Sequence, residues 1–555
     1  MCEKPSCQQT ERGNRHSGEA GISGTIRRLR EHFGKSAWLF PLIGVLALIW
    51  FLVRVLPKPS RARYPCQRVA MPLGLGFLGW LAGLTFSALS FSRVKRFLHR
   101  GRFIAAAAAV VVGLGAAWFG LGTAIDLPAP LAGSPEAFTP REAANSPMGK
   151  GRGIHPGRVA WTHDPKAVSW DGKTGNWWDE SNLDSERVHA TLHDSLTRLT
   201  GENSPSAAWR ALFTHFNKEH GRHEGGYVRG EKIAIKVNLN CSASYEWNQK
   251  LNNSPQMIHA LLDDLVNVVG VRESHITVVD PSRYVGVPIW ERCHSEFPNV
   301  HYVDCEGARG REKAQPDKQT TLHYADPEVP RNEDMHLPKC MVEADYLINL
   351  ALLKGHTLAG VTLNAKNHFG SVWWKGSMKT HRNGWDPSNM HKYVTVHDAG
   401  NIEGREMGTY NSLVELMGHR DLDGKTMLFL IEGFYAAQHQ GGKPLRWESA
   451  PFNGQWPASL FASQDGVAIE SVAVDFCRTE PTMTRFVNGN VDNYLHEASQ
   501  ACEPPSGVTY DPEDDGTVLE SLGVHEHWNN ARDRQYSRNL GKEQGIELVT
   551  VRPEK

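Results

Sequence analysis

KIAIKVNL at residues 232–239, SP at 254–255 leading into QMIHALLDDLVNVV at 256–269, and HITVV at 275–279 decide the fold class of this 555-residue chain. The first and last runs are apolar and β-branched, with Lys232 and Lys236 punctuating the first. Between them, Met257, Leu261, Leu265 and Val268 recur at helical spacing. Serine followed by proline is a helix start signal, because the serine side chain caps and the proline is preset for the first turn. Gly270 then stops the helix. A strand, a helix and a second strand in that order require a right-handed parallel crossover.

The pattern continues outward. Strands are expected at Val300–Val303, Tyr346–Ala351 and Met427–Ile431, and helices at Ser412–Met417 and Val467–Asp475. The expected fold is α/β, with a mostly parallel central sheet and flanking helices. Such sheets bind ligands at the carboxyl ends of their strands.

Ahead of this domain the chain changes character. Residues 1–102 hold 17 Lys and Arg against 4 Asp and Glu, whereas the remainder holds 43 against 57. Three apolar stretches, Ala37–Val53, Ala70–Phe91 and Phe103–Ile125, are each close to the ~20 residues a membrane-crossing helix needs. The expected organisation is a basic tail at 1–36, an all-α transmembrane segment of three helices at 37–125, a Pro-rich spacer at 126–160 and a soluble α/β domain at 161–555. The bilayer is then a partner of the chain. The Lys and Arg of the tail and second loop outnumber those of the first loop and residues 126–145, which places the soluble domain outside the cytoplasm. The acidic body argues against nucleic acid as a partner.

KVNLN at 236–240, the VVDPS strand ending at 278–282, ADYLINLALLKGH at 344–356, VTLNAKNHFG at 361–370 and ASQDGVAIESVAVDF at 462–476 occur in that order. Over residues 230–480 the chain resembles the DUF362 family, uncharacterised α/β proteins often joined to iron–sulfur ferredoxin modules. The resemblance implies a fold and a redox protein as partner, not a reaction. No C-x-x-C is present, so no iron–sulfur cysteine motif or ribbon-type zinc site is encoded, and the cofactor stays unassigned.

Lys354 and His356 leave the carboxyl end of an apolar strand, and Lys366 and Asn367 follow after a short segment. With Lys236 and Asn238 they form a candidate cradle for a carboxylate or phosphate. His356 or His381 is the candidate proton shuttle, Asp280 its orienting carboxylate, and Asp465 a further ligand-binding candidate. His391, His397, Asp398, Glu432 and His439 are suitable metal ligands by type, but their spacing matches no compact metal signature and the metal is left unknown. Six cysteines lie in the soluble part; they are either buried and free or able to form disulfides, with Cys293 and Cys305 the nearest pair in sequence. Two functions follow: an enzyme acting on a small anionic metabolite, or a non-catalytic, membrane-tethered binding or maturation factor for a redox or metal-dependent partner.

Overall fold

A computed structural model describes residues 138–326, 335–374, 391–398 and 403–552, with scattered positions between 45 and 112. The chain divides into two compact units, Met1–Ala132 and Gly133–Lys555. The three expected membrane spans fall largely outside the described residues. Among the described residues no helix is long and apolar enough to cross a membrane.

The second unit is built on one mixed sheet. In chain order it comprises β1 (Arg158–His163), α1 (Ser185–Thr200), α2 (Pro205–Glu219), β2 (Ile233–Val237), α3 (Pro255–Asp263), β3 (Ile276–Val279), β4 (His301–Asp304), β5 (Glu312–Lys313), β6 (Tyr346–His356), β7 (Gly360–Thr362), α4 (Asn364–Asn367), α5 (Leu413–Gly418), β8 (Thr426–Ala437), β9 (Ser459–Ser463), α6 (Gly466–Thr479), α7 (Asn493–Ser499) and β10 (Glu547–Val551). The order across the sheet is β10-β1-β9-β8-β6-β2-β3-β4-β5, with β7 folded back on β6. Six of the nine pairings are parallel. The antiparallel ones involve β9 and β7, which run against the rest. The fold is α/β, as expected.

The helix starts follow the local chemistry. Ser254 accepts from the Met257 amide at 3.1 Å, with Pro255 in the first turn of α3. The same pair recurs at Ser204 and Pro205 of α2. Asp184 caps α1 by accepting from the Arg187 amide, and Gly201 ends it at φ +78°, a left-handed conformation that a β-carbon disfavours. Beyond Asp263 the helix widens to π geometry over Asp264–Val269, so the expected continuous helix is two pieces.

Both faces of the sheet are covered, which explains its unbroken apolar strands. Leu347, Ala351 and Leu353 of β6 pack with Val467, Val472 and Phe476 of α6. Tyr346, Ile348, Leu350 and Leu352 pack with Leu192, Trp209 and Leu261 of α1–α3. Each such aliphatic side chain contributes roughly 1.5–3 kcal/mol relative to an exposed one.

One expectation needs revision, and one open alternative is decided. Part of the stretch read as a spacer belongs to the domain: Phe138 is buried, and Met148–Gly149 pairs with Val524–His525. Proline frequency hid this because prolines also suit an irregular segment laid over a core. The six cysteines from Cys241 onward are all free, so Cys293 and Cys305 are not bridged.

Candidate functional site

The long strand β6 outruns its neighbour β2. Val237, the last residue of β2, stands opposite Leu350, while β6 continues to His356. On the other side a wide bulge in β8 lies between the pairs Glu432–Leu352 and Ala437–Lys354. The carboxyl edge is therefore stepped, and polar side chains fill the step.

Lys236 is fully buried; its Nζ donates to the Val237 carbonyl at 2.6 Å and to Asn367 Oδ1 at 3.1 Å. Asp280 Oδ2 lies 3.5 Å from that Nζ. Asp280 is itself held by the Leu239 amide at 3.0 Å and by the Ser282 amide and hydroxyl at 3.1 and 2.8 Å. Lys354, also fully buried, donates to Asn238 Oδ1 at 3.0 Å. Behind it, the Asn238 amide donates to Asn253 Oδ1, and Asn253 Nδ2 donates to Glu432 Oε2 at 2.8 Å. Lys366 Nζ stands 3.4 Å above the Phe369 ring centre and 3.3 Å from His391 Nε2.

The electrostatics share one cause. Burial pushes the Lys236, Lys354 and Lys366 ammonium pKa values down, because charge leaves water. Arg283 adds repulsion against all three, and Lys354 against Lys366, whose value is driven furthest below the ordinary lysine range. Asp280 opposes the shift at Lys236 and Lys354. Burial likewise raises the Glu432 carboxyl to about 7, against the hydrogen bonds from Ser254 and Asn253. The step thus gathers three buried lysines around Asp280, the closest carboxylate among the described residues.

His356 is fixed in role. Its Nδ1 accepts from the Leu358 and Ala359 amides at 3.0 and 3.1 Å. A neutral ring with an occupied Nδ1 lone pair carries its proton on Nε2, and burial together with the lysines drives the pKa well below the usual imidazole value. His356 is thereby a hydrogen-bond donor rather than a base. Its ring stacks on His391 at 5.3 Å.

Of the residues read from the sequence, Lys236, Asn238, Lys354, Lys366, Asn367, His356 and Asp280 meet at this edge. Asp465 does not. It follows β9, whose reversed direction delivers it to the opposite edge of the sheet, where it caps α6 by accepting from the Ala468 amide at 2.9 Å. It also accepts from the Arg152 and Val524 amides, and is a structural cap. His381 lies outside the described residues. His368 is engaged elsewhere, with Nε2 2.7 Å from Asp423 Oδ1 and Nδ1 2.8 Å from Ser371 Oγ. His391, His397, Asp398, Glu432 and His439 make no common metal cluster among the described residues.

Two contributors escaped the sequence reading. Arg283, three residues past Asp280, clamps Asn240 through its carbonyl and side chain at 2.9 Å each. The Asp-Pro-Ser-Arg turn after a strand was the available signal. Gly370 is the other: a β-carbon there would lie 3.2 Å from Ser282 Oγ, 3.3 Å from Lys236 Nζ and 3.4 Å from Asp280 Oδ1.

Residues 233–475 match the family model DUF362, a domain of unknown function. Neither the curated proteins nor the solved structures offer a match. The stretch that carries the stepped, lysine-lined edge is thus the part of the chain that is similar to DUF362.

Proposed function

We propose that this edge binds a small carboxylate- or phosphate-bearing metabolite, and that the protein is an enzyme acting on it. The observation carrying the reading is the charge imbalance: the buried Lys236, Lys354 and Lys366 crowd together with Asp280 as the carboxylate closest to them. Buried cations are costly unless paired, and an anionic ligand supplies the missing pair. The proposed division of labour follows from the hydrogen bonds. Lys236 and Lys354 attract the anion, His356 Nε2–H donates to it, and Asp280 fixes Lys236. Lys366, whose proton is held weakly, is the group best suited to accept one from the substrate. In the same proposal the apolar stretches between residues 37 and 125 anchor this domain to a membrane, with the domain on the extracytoplasmic side.

Anion binding to a weakly protonated lysine raises its pKa, so binding takes up protons and weakens as pH rises. Calorimetric titration of the full chain with inorganic phosphate and with succinate, in buffers of differing ionisation enthalpy, should show this uptake at pH values below the ordinary lysine range. Lys366→Met should reduce the uptake, and Lys354→Met should weaken affinity about 10-fold, one lost charge-assisted contact. Phosphate and succinate that bind no better than chloride to the folded protein discard the site. Release of the full chain from membranes by alkaline carbonate would discard the anchor alone.

A further inference from the structure

A second cluster lies outside the edge just described, on segments that flank the matched family region. Glu142 comes from the stretch preceding β1. Asp492 and His496 stand four residues apart at the start and within α7. His525 and His527 stand two apart, with His525 in the short strand paired to Met148–Gly149. One ligand atom from each of Glu142, Asp492, His496 and His525 lies within 4.8 Å of all the others.

The individual separations are tighter. Glu142 Oε2 is 3.3 Å from His496 Nε2, and Glu142 Oε1 is 3.4 Å from His525 Nε2 and 3.1 Å from His527 Nε2. Asp492 Oδ2 is 3.6 Å from His496 Nε2 and 3.4 Å from His527 Nε2. Ligand atoms about 2.0–2.1 Å from a tetrahedral zinc ion are about 3.3 Å from one another. The observed spacings bracket that value.

The orientation of the rings is set from behind. Ser471 gives its hydroxyl proton to the Val467 carbonyl at 2.8 Å, so at the 2.8 Å contact with His525 it accepts and Nδ1 donates. Asp475 is 2.6 Å from His527 Nδ1 and, as a carboxylate, also accepts. A neutral ring at either position therefore turns its Nε2 lone pair toward Glu142. Lone pair facing carboxylate is repulsive unless a cation or an extra proton lies between. Glu142 Oε1 and Oε2, Asp492 Oδ1, His496 Nε2 and His525 Nε2 are buried with no hydrogen-bond partner. His525, His527 and Asp492 are each at most 1 % exposed. A hydrogen-bonded second layer that orients imidazoles toward a common point is the arrangement that metal ligation requires.

We infer that Glu142, Asp492, His496, His525 and His527 form a binding site for a divalent transition-metal ion of the zinc or iron(II) class. Imidazole nitrogen favours these ions, whereas magnesium or calcium would call for oxygen ligands throughout. Such an ion ties the stretch before β1, α7 and the C-terminal stretch together, so it acts as a structural clamp. A comparison lies within the same domain. His189 and His193 both meet Asp264 Oδ1, at 2.8 and 2.7 Å, and Trp209 donates to its other oxygen at 2.8 Å. That carboxylate is already satisfied, and needs no ion.

The test uses the full chain, stripped with a chelator, incubated with zinc chloride and desalted, with metal read by mass spectrometry. About one zinc per chain is expected in the wild type and in His193→Asn. Glu142→Gln and His496→Asn, at the two least buried ligands, should each lower occupancy at least 10-fold at equal zinc. Cobalt(II) in place of zinc should give visible absorption bands of a nitrogen–oxygen site, lost in the same variants. No bound metal in folded wild type would overturn the inference and leave protonated imidazoles as the cluster's cement. Metal lost on His193→Asn but kept in Glu142→Gln would overturn it equally.

Discussion

The lysine-lined edge and the histidine–carboxylate cluster are opposite solutions to the same cost. At the edge, the buried Lys236, Lys354 and Lys366 outnumber the close carboxylate Asp280, and burial drives the lysine pKa values down. At the cluster, two carboxylates and three imidazoles turn acceptor atoms toward one point, several of them without donors. One arrangement has too much positive charge and the other too many lone pairs. The two proposals assign each a partner of the opposite character, an anion for the first and a metal cation for the second. The contrast also separates regions of the chain: the edge lies within residues 233–475, and the cluster's ligands lie outside them.

The sharpest break of this comparison is Asp280→Asn. Removing the counter-charge leaves Lys236 buried and uncompensated, so urea denaturation without added anion should show a loss of about 3–5 kcal/mol. Saturating phosphate should restore part of it. A loss below about 1 kcal/mol would mean that the edge is not held together by charge.

Glu432 sharpens the picture from behind Lys354. Its carboxyl is raised from 4.5 to about 7 by burial, so its favourable contribution is full below pH 4.5 and is lost as pH rises through 7. Glu432→Gln cannot ionise. The fall in stability between pH 5 and 8 should therefore be shallower in the variant by about 2–3 kcal/mol, read from denaturation midpoints across that range. Parallel pH curves would show that Glu432 stays ionised throughout. The lysines contribute the opposite slope, since lowered basic pKa values stabilise the fold progressively as pH climbs from the depressed values toward 10.5.

The smallest expected effect is the most local. Gly370→Ala places a methyl group 3.2–3.4 Å from Ser282 Oγ, Lys236 Nζ and Asp280 Oδ1. Stability should change by less than about 1 kcal/mol, because the neighbours need move only a few tenths of an ångström. Phosphate affinity should nevertheless fall about 10-fold as the approach to Lys236 narrows, corresponding to ~1.4 kcal/mol. Unchanged affinity would place the anion away from Lys236.

Legibility in the sequence differed element by element. Ile233–Val237, Ile276–Val279 and the Tyr346–Ala351 part of β6 were readable because a strand buried on both faces is a run of apolar residues, whereas the continuation of β6 to His356 was not. Helix α3 announced itself through Ser254 and Pro255, and α2 carried the same signal at Ser204 and Pro205, where it went unread. Strand β1, at Arg158–His163, was hidden behind a proline-rich stretch, and β10 lay in a polar C-terminal region. Lys236 and Lys354 were legible because they lie near the carboxyl ends of their strands, and Lys366 because it sits in the short helix that follows β7. The metal cluster had only short local traces, Asp492 and His496 four apart and His525 and His527 two apart, which gain meaning once α6 supplies Ser471 and Asp475 behind them.

What the sequence by itself determined is whatever depends on near neighbours: the α/β class, the crossover from β2 to β3, the helix caps, and the cations that follow strand ends. Periodicity and capping are properties of a few consecutive residues, so they survive without knowledge of the rest. Only the tertiary structure decided strand order and direction. The reversal of β9 carries Asp465 to the far edge, and the return of the C-terminal stretch brings His525 and His527 to Glu142, more than 380 residues away in the chain. Those outcomes depend on which faces pack together, a competition among distant apolar surfaces that no local spacing records.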